Sequence, residues 1–218
     1  MSGKKRPSAK RCVMMAAGIV FIGICVGAYR LSALGTDPYT CMNLGISGFL
    51  HISFGNWQLV MNALLLIVMF FQARELIGLG TFFNMVCVGY LADLICWLAL
   101  DVLQIPITLP LRVGILLLGW IFMGLGVSLS MVAGLGVAPY DSLALIFERM
   151  AKGRISFQTA RILGDAAAVI AGVGFCLLGG NDLWQIIGIG TVCNALFNGP
   201  LIQFFKIHVA EPLLKNGD

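Results

Sequence analysis

Of 218 residues, 59% are hydrophobic and only 11% charged, with a mean hydropathy of +0.95, so a water-facing surface of ordinary charge density cannot be assembled. The chain reads as an integral membrane protein. Its net charge of +4 comes largely from the ends and one loop, a pattern that sets membrane orientation and excludes a nucleic-acid surface.

Lys4, Lys5, Arg6, Lys10 and Arg11 precede an apolar run from Cys12 to Leu34. That run is too long for a signal peptide and lacks a small-residue cleavage site, so it reads as a first membrane helix, about Cys12 to Ala33. At about 20 residues per crossing the apolar runs span a bilayer several times, and they lack the alternation of a barrel. Leu34-Gly35-Thr36-Asp37-Pro38-Tyr39 interrupts the first run, because Gly and Pro end one helix and Pro begins another. A short helix from Pro38 to about His51, a turn at Ser53 to Asn56 and a third helix from about Trp57 to Phe71 follow. The fourth runs from near Gly78 to about Val102, with Asn84 and Asp93 inside it. Gln104 to Pro110 is a connector. The same order then returns: a helix from Arg112 to Ala133, a break at Gly134-Leu135-Gly136, a short helix from Pro139 to about Met150 and a loop at Lys152-Gly153-Arg154. Helices from about Phe157 to Leu178 and Leu183 to Phe205 come next, and a mildly amphipathic tail closes the chain.

The halves match in order. Leu34 to Tyr39 falls on Leu135 to Tyr140, and Arg11, Gly18, Phe21 and Gly23 on Arg112, Gly119, Phe122 and Gly124, all at an offset of 101. Ile52-Ser53-Phe54 matches Ile155-Ser156-Phe157 at 103, placing Asn62 on Asp165; Gly78, Gly80, Thr81, Asn84 and Gly89 match Gly188, Gly190, Thr191, Asn194 and Gly199 at 110. The expected fold is all-α: a polytopic transmembrane helical bundle built from two internal repeats of 4+4 segments. Its parts are an N-terminal membrane repeat (1–103), a connector (104–111), a C-terminal membrane repeat (112–206) and a cytoplasmic tail (207–218). If the short helices cross the membrane the repeats are parallel; if they dip in and return, the repeats are inverted. Glu148, Arg149, Lys152 and Arg154 follow the second short helix, and a return path carrying them through hydrocarbon would be costly, which favours the parallel form. That form places Arg112 and the 149–154 cluster with the N-terminus, both termini in the cytoplasm, and Arg74 and Asp182 opposite.

The Leu-Gly-x-x-Pro-Tyr elements, Ala138-Pro139-Tyr140-Asp141-Ser142 and the Gly-x-Gly-Thr-x-x-Asn segments resemble the YczE/YitT-like family of bacterial integral membrane proteins over nearly the whole chain. The YczE branch is the nearer match, since the chain ends shortly after the last helix, without the soluble C-terminal domain of YitT-type members. The resemblance implies a location in the bacterial inner membrane. It carries over no catalytic residues.

Backbone freed at a break in hydrocarbon needs partners or a wet cavity, and the helix that follows aims its N-terminal amides at it. Candidate solute-binding residues are therefore Asp37, Tyr39, Asn84, Tyr140, Asp141, Ser142 and Asn194, with local capping the competing role for Asp37, Asp141 and Ser142. Asp93, deep in an apolar helix, is a candidate for proton or ion coupling. So are Arg161 and Asp165, which share a helix face at i and i+4 and can equally form a plain ion pair. Two isolated histidines, His51 and His208, offer no base for a nucleophile, and the seven cysteines form no Cys-x-x-Cys pair; no enzyme, metal centre or cofactor is expected. The leading reading is an inner-membrane secondary transporter or permease for a small polar solute, with its site between the repeats near the midplane. The alternatives are a non-transporting partner protein of a membrane-associated enzyme system and a passive channel. The lipid bilayer is the surrounding partner, no nucleic acid is expected, and a homo-oligomer is compatible with the Gly-rich faces.

Overall fold

The computed structural model describes residues 8–152, 154–155 and 157–215; Lys4, Lys5, Arg6, Gly153, Ser156 and the last three residues lie outside it. Nine α-helices occupy the described residues, and no strand is present among them: α1 (Ala9–Ser32), α2 (Pro38–Leu50), α3 (Phe54–Gln72), α4 (Leu79–Trp97), α5 (Leu109–Ala133), α6 (Pro139–Met150), α7 (Phe157–Leu178), α8 (Ile189–Phe205) and α9 (Glu211–Lys215). Short π-helical stretches prolong α4 to Val102 and α8 to Ala210. Among the described residues, five helices are long and apolar enough to cross a membrane. Phe71, Ile170 and Leu178 are more than 70% exposed, an arrangement that lipid tolerates and water would not. The all-α polytopic bundle is what the composition requires.

Helix starts follow local chemistry. Ser8, Asp37 and Ser53 accept hydrogen bonds from the backbone N–H of Arg11, Thr40 and Asn56, and Pro stands in the first turn of α2, α5 and α6. α5 begins at Leu109, inside the expected connector, because Pro110 starts a helix as readily as it ends a loop.

Contacts between helices fix their directions. Gly18 of α1 lies against Gly126 and Ser130 of α5, Tyr29 against Gly119, and the Arg11 guanidinium donates to the Ala133 carbonyl at 3.1 Å, so α1 and α5 are antiparallel. α4 runs with α1, since Met15 meets Gly80, Gly23 meets Leu91 and Gly27 meets Ile95. α3 opposes α4, with Gly55 beside Asp93 and Gln58 beside Gly89. The bundle thus has a terminal end, where α1 starts and α5 finishes, and a far end. α2 finishes at the far end, where α3 begins, yet its first turn lies deep: Tyr39 reaches Asn62, eight residues or about 12 Å into α3. The chain dips inward at 33–37 and α2 carries it back out.

This corrects the parallel arrangement. The second four segments run opposite to the first, and each short helix is re-entrant. The cost that disfavoured this form does not arise, because the dip is made by the uncharged 134–138 and α6 is the way out. Arg149, Lys152 and Arg154 lie at or beyond its outer end. Arg74 also changes ends: Arg149 bonds to Glu75, which places the 74–76 turn with the N-terminus, whereas Arg112 opens α5 at the far end.

Each break is stitched to the opposite half. Gly190 N–H donates to the Leu34 carbonyl and Gly80 N–H to the Leu135 carbonyl, both at 2.8 Å; Thr36 N–H reaches Ile186 at 3.2 Å and Val137 N–H reaches Leu76 at 3.1 Å. Gly35 and Gly136 have φ of 106° and 126°, and a Cβ on either would strike the backbone of Gly188 or Gly78. Four of the freed backbone groups, the Leu34 and Leu135 carbonyls and the Thr36 and Val137 amides, therefore find partners in the opposite half, which makes the breaks joints between halves.

Candidate functional site

The dip delivers Tyr39 and Tyr140 to one point. Their rings stack with centroids 4.4 Å apart and planes 21° from parallel, a contact worth about 0.5–1.5 kcal/mol beyond its buried area. Tyr39 Oη donates to Asn62 Oδ1 at 2.7 Å, and Tyr140 Oη donates to Asp165 Oδ1 at 2.6 Å. Asn62 and Asp165 each stand eight residues into their helices, α3 and α7, so the two bonds lie about 12 Å from opposite ends of the bundle with the stack between them.

On the α6–α7 side the surroundings are ionic. Arg161 Nη1 donates to Asp141 Oδ1 at 2.5 Å, its Nε reaches Asp165 at 3.3 Å, and its guanidinium lies 5.0 Å from the Tyr140 ring centroid. The expected i,i+4 pair of Arg161 and Asp165 is therefore one edge of a triad. On the α2–α3 side the equivalent positions hold neutral Thr40, Gln58 and Asn62. Asp37 Oδ1 caps Thr40 N–H at 3.1 Å, while its Oδ2 is buried without a hydrogen-bond partner. A cleft of about 10 Å³, room for roughly one water, touches Tyr140 and Arg161. The stacked rings themselves occupy the centre.

Asp37, Tyr39, Tyr140, Asp141, Arg161 and Asp165 thus meet. The other candidates stand apart. Asp93 pairs with Arg30 at 2.6 Å and accepts from Gly55 N–H at 2.7 Å, near the far end of the bundle, so it is a partnered carboxylate rather than an isolated one. Asn194 is buried and accepts from Tyr29 Oη at 2.8 Å, while Asn84, its sequence match, is half-buried on α4. Ser142 gives its hydroxyl to the Pro139 carbonyl at 2.6 Å, within its own helix.

Three participants escaped the sequence reading. Arg30 stands 63 residues from Asp93 and shows no periodic link to it. Tyr29 lies in the last turn of α1. Asn43 is fully buried on α2, one turn after Tyr39. Asn62 had a usable signal, its match to Asp165.

The packing around the stack is uneven. Gly45 of α2 and Gly172 of α7 bring the two backbones together, and a Cβ on either would strike the backbone of the other helix. At the corresponding place α6 meets α3 through Ile146, Met69 and Ala73, side chain on side chain. Beyond it, an apolar groove of about 460 Å³ between α6 and α7 is lined by residues such as Phe147, Met150, Leu163 and Ala167. Arg149 ties the end of α6 to Glu75 and holds that exposed carboxyl below the ordinary carboxylate range.

Residues 9–207 match a family of unknown function, DUF6198. The chain belongs to that family. It is 25% identical over 190 residues to the uncharacterized membrane protein YczE of Bacillus subtilis, covering 84% of this chain and 82% of that one. An uncharacterized protein of Haemophilus influenzae is 27% identical over 191 residues (87% of this chain, 80% of that protein), and the uncharacterized protein YyaS of Bacillus subtilis is 26% identical over 193 (86% and 88%). The YczE-like resemblance read from the Leu-Gly-x-x-Pro-Tyr elements is borne out. No solved structure matches the chain.

Proposed function

We propose that the chain is a secondary transporter of the bacterial inner membrane that carries a small polar solute past the Tyr39–Tyr140 stack. One observation carries this reading: two re-entrant helices from oppositely directed halves place a polar, partly charged cluster at mid-depth, where bare hydrocarbon packing would be cheaper. The duplication inferred from sequence supports it, since the contacts at Gly18–Ser130 and Tyr29–Gly119 exchange under the same offset of 101. Rocking one half against the other would part the rings and expose the cluster to alternate ends. The uneven closure around the stack fits a state sealed at the far end by glycine contact and at the terminal end by side chains alone. The basic residues support a cytoplasmic terminal end, for Lys10, Arg11, Arg74, Arg149, Lys152 and Arg154 all lie there.

Flux into proteoliposomes of purified protein tests the reading, with panels of cationic, neutral and anionic solutes. Saturable uptake lost in Tyr39→Ala and Tyr140→Ala variants that keep the wild-type melting temperature to within a few degrees is the expected result. Unsaturable flux at channel rates, or no flux with a stoichiometric protein partner retained through purification, would overturn it. Asp93→Asn is expected to keep uptake if its role is to hold Arg30, and to abolish gradient-driven uptake if it couples a proton.

A further inference from the structure

We infer that the solute this cluster accepts carries a single positive charge: a small monovalent cation, inorganic or a protonated amine. The inference rests on the transporter reading and names the class of solute. Three carboxylates, Asp37, Asp141 and Asp165, surround the stack, and the positive groups facing them are one guanidinium and two helix N-termini. A helix N-terminus is worth about half an elementary charge, so about one negative charge is left uncompensated at a depth where an unbalanced charge is expensive.

The position of the deficit is visible. Arg161 satisfies Asp141 and Asp165 on the α6–α7 side, whereas Asp37 has no cation bonded to it. Two buried acceptors without donors lie on this α2 side: Asp37 Oδ2 and Asn43 Oδ1. Asn43 is fully buried one turn after Tyr39, and its amide nitrogen donates to the Tyr39 carbonyl at 2.9 Å, while its oxygen is left without a donor. An ammonium or a partly dehydrated metal ion supplies what such oxygens lack, and an anion or a further acceptor does not.

The test is equilibrium binding to purified protein in detergent, without any gradient, using radiolabelled sodium and radiolabelled methylammonium as probes against N-methylglucamine at constant ionic strength. Saturable binding of one probe with a stoichiometry near one is expected, weakened at least tenfold in Asp37→Ser and unchanged in Asp182→Asn, an exposed position in the turn after α7. Serine retains the cap on α2 and removes only the charge, so a folding defect does not confuse the result. Absence of saturable binding for both probes, or full affinity in Asp37→Ser, overturns the inference. Cation binding with no flux would sink the transporter reading and keep the site; flux of a neutral or anionic solute without cation binding would do the reverse.

Discussion

Ala33 ends α1 in the left-handed region, at φ 47°, where its counterpart Gly134 ends α5 at φ 64°. An alanine there costs about 1–2 kcal/mol that glycine avoids, although glycine returns part of it through a freer unfolded chain. Ala33→Gly is accordingly expected to raise stability by up to about 1 kcal/mol and Gly134→Ala to lower it by a similar amount, read as opposite shifts in melting temperature. Arg30 and Asp93 make a second residue-level test. Each side chain is about four-fifths buried, at 19% and 25% exposure, so removing one partner strands the other, at a cost of about 2 kcal/mol. A double-mutant cycle with Arg30→Gln and Asp93→Asn should show the pair costing less than the sum of its singles. Independent, additive losses would mean that the bond seen here adds nothing.

Among the elements, the most informative contact is α2 on α7. Gly45→Leu or Gly172→Leu inserts side-chain volume where backbone touches backbone and should lower the melting temperature sharply, while Gly164→Ala and Gly174→Ala, which face open space on the same α7, should be neutral or mildly stabilising. Equal effects at all four would refute the tight seam. The elements were largely legible in the sequence because their causes are local: an apolar run long enough to span lipid, and a Gly and a Pro that stop and restart a helix. Tyr39, Tyr140, Asp141 and Asp165 were legible as candidates for the same reason, since they stand at or just beyond those breaks or at matching offsets. Direction was not, because it depends on which charges lie on the way in and which on the way out, and Arg149 bonding to Glu75 decides that between segments 74 residues apart. The Arg30–Asp93 pair and the buried Asn43 were hidden likewise, since nothing within one helix announces a partner on another.

For the molecule as a whole, the directions of the helices make a plain topological prediction. Single cysteines introduced at Lys152 and at Arg112 into a cysteine-free background should label from opposite faces of an intact membrane with an impermeant maleimide, and Lys152 should share the face of the N-terminus. Labelling of both from one face would restore the parallel arrangement. The stitched breaks carry one last implication, for biosynthesis. The Leu34 carbonyl and the Thr36 amide and hydroxyl are matched by Gly190 and Ile186, which leave the ribosome about 150 residues later. Until then the first half sits in the bilayer with a gap in its main-chain bonding that only residues 186–190 can fill, so a truncated product ending before Ile186 should remain open to degradation by membrane proteases, and supplying the missing segment as a separate polypeptide should rescue it.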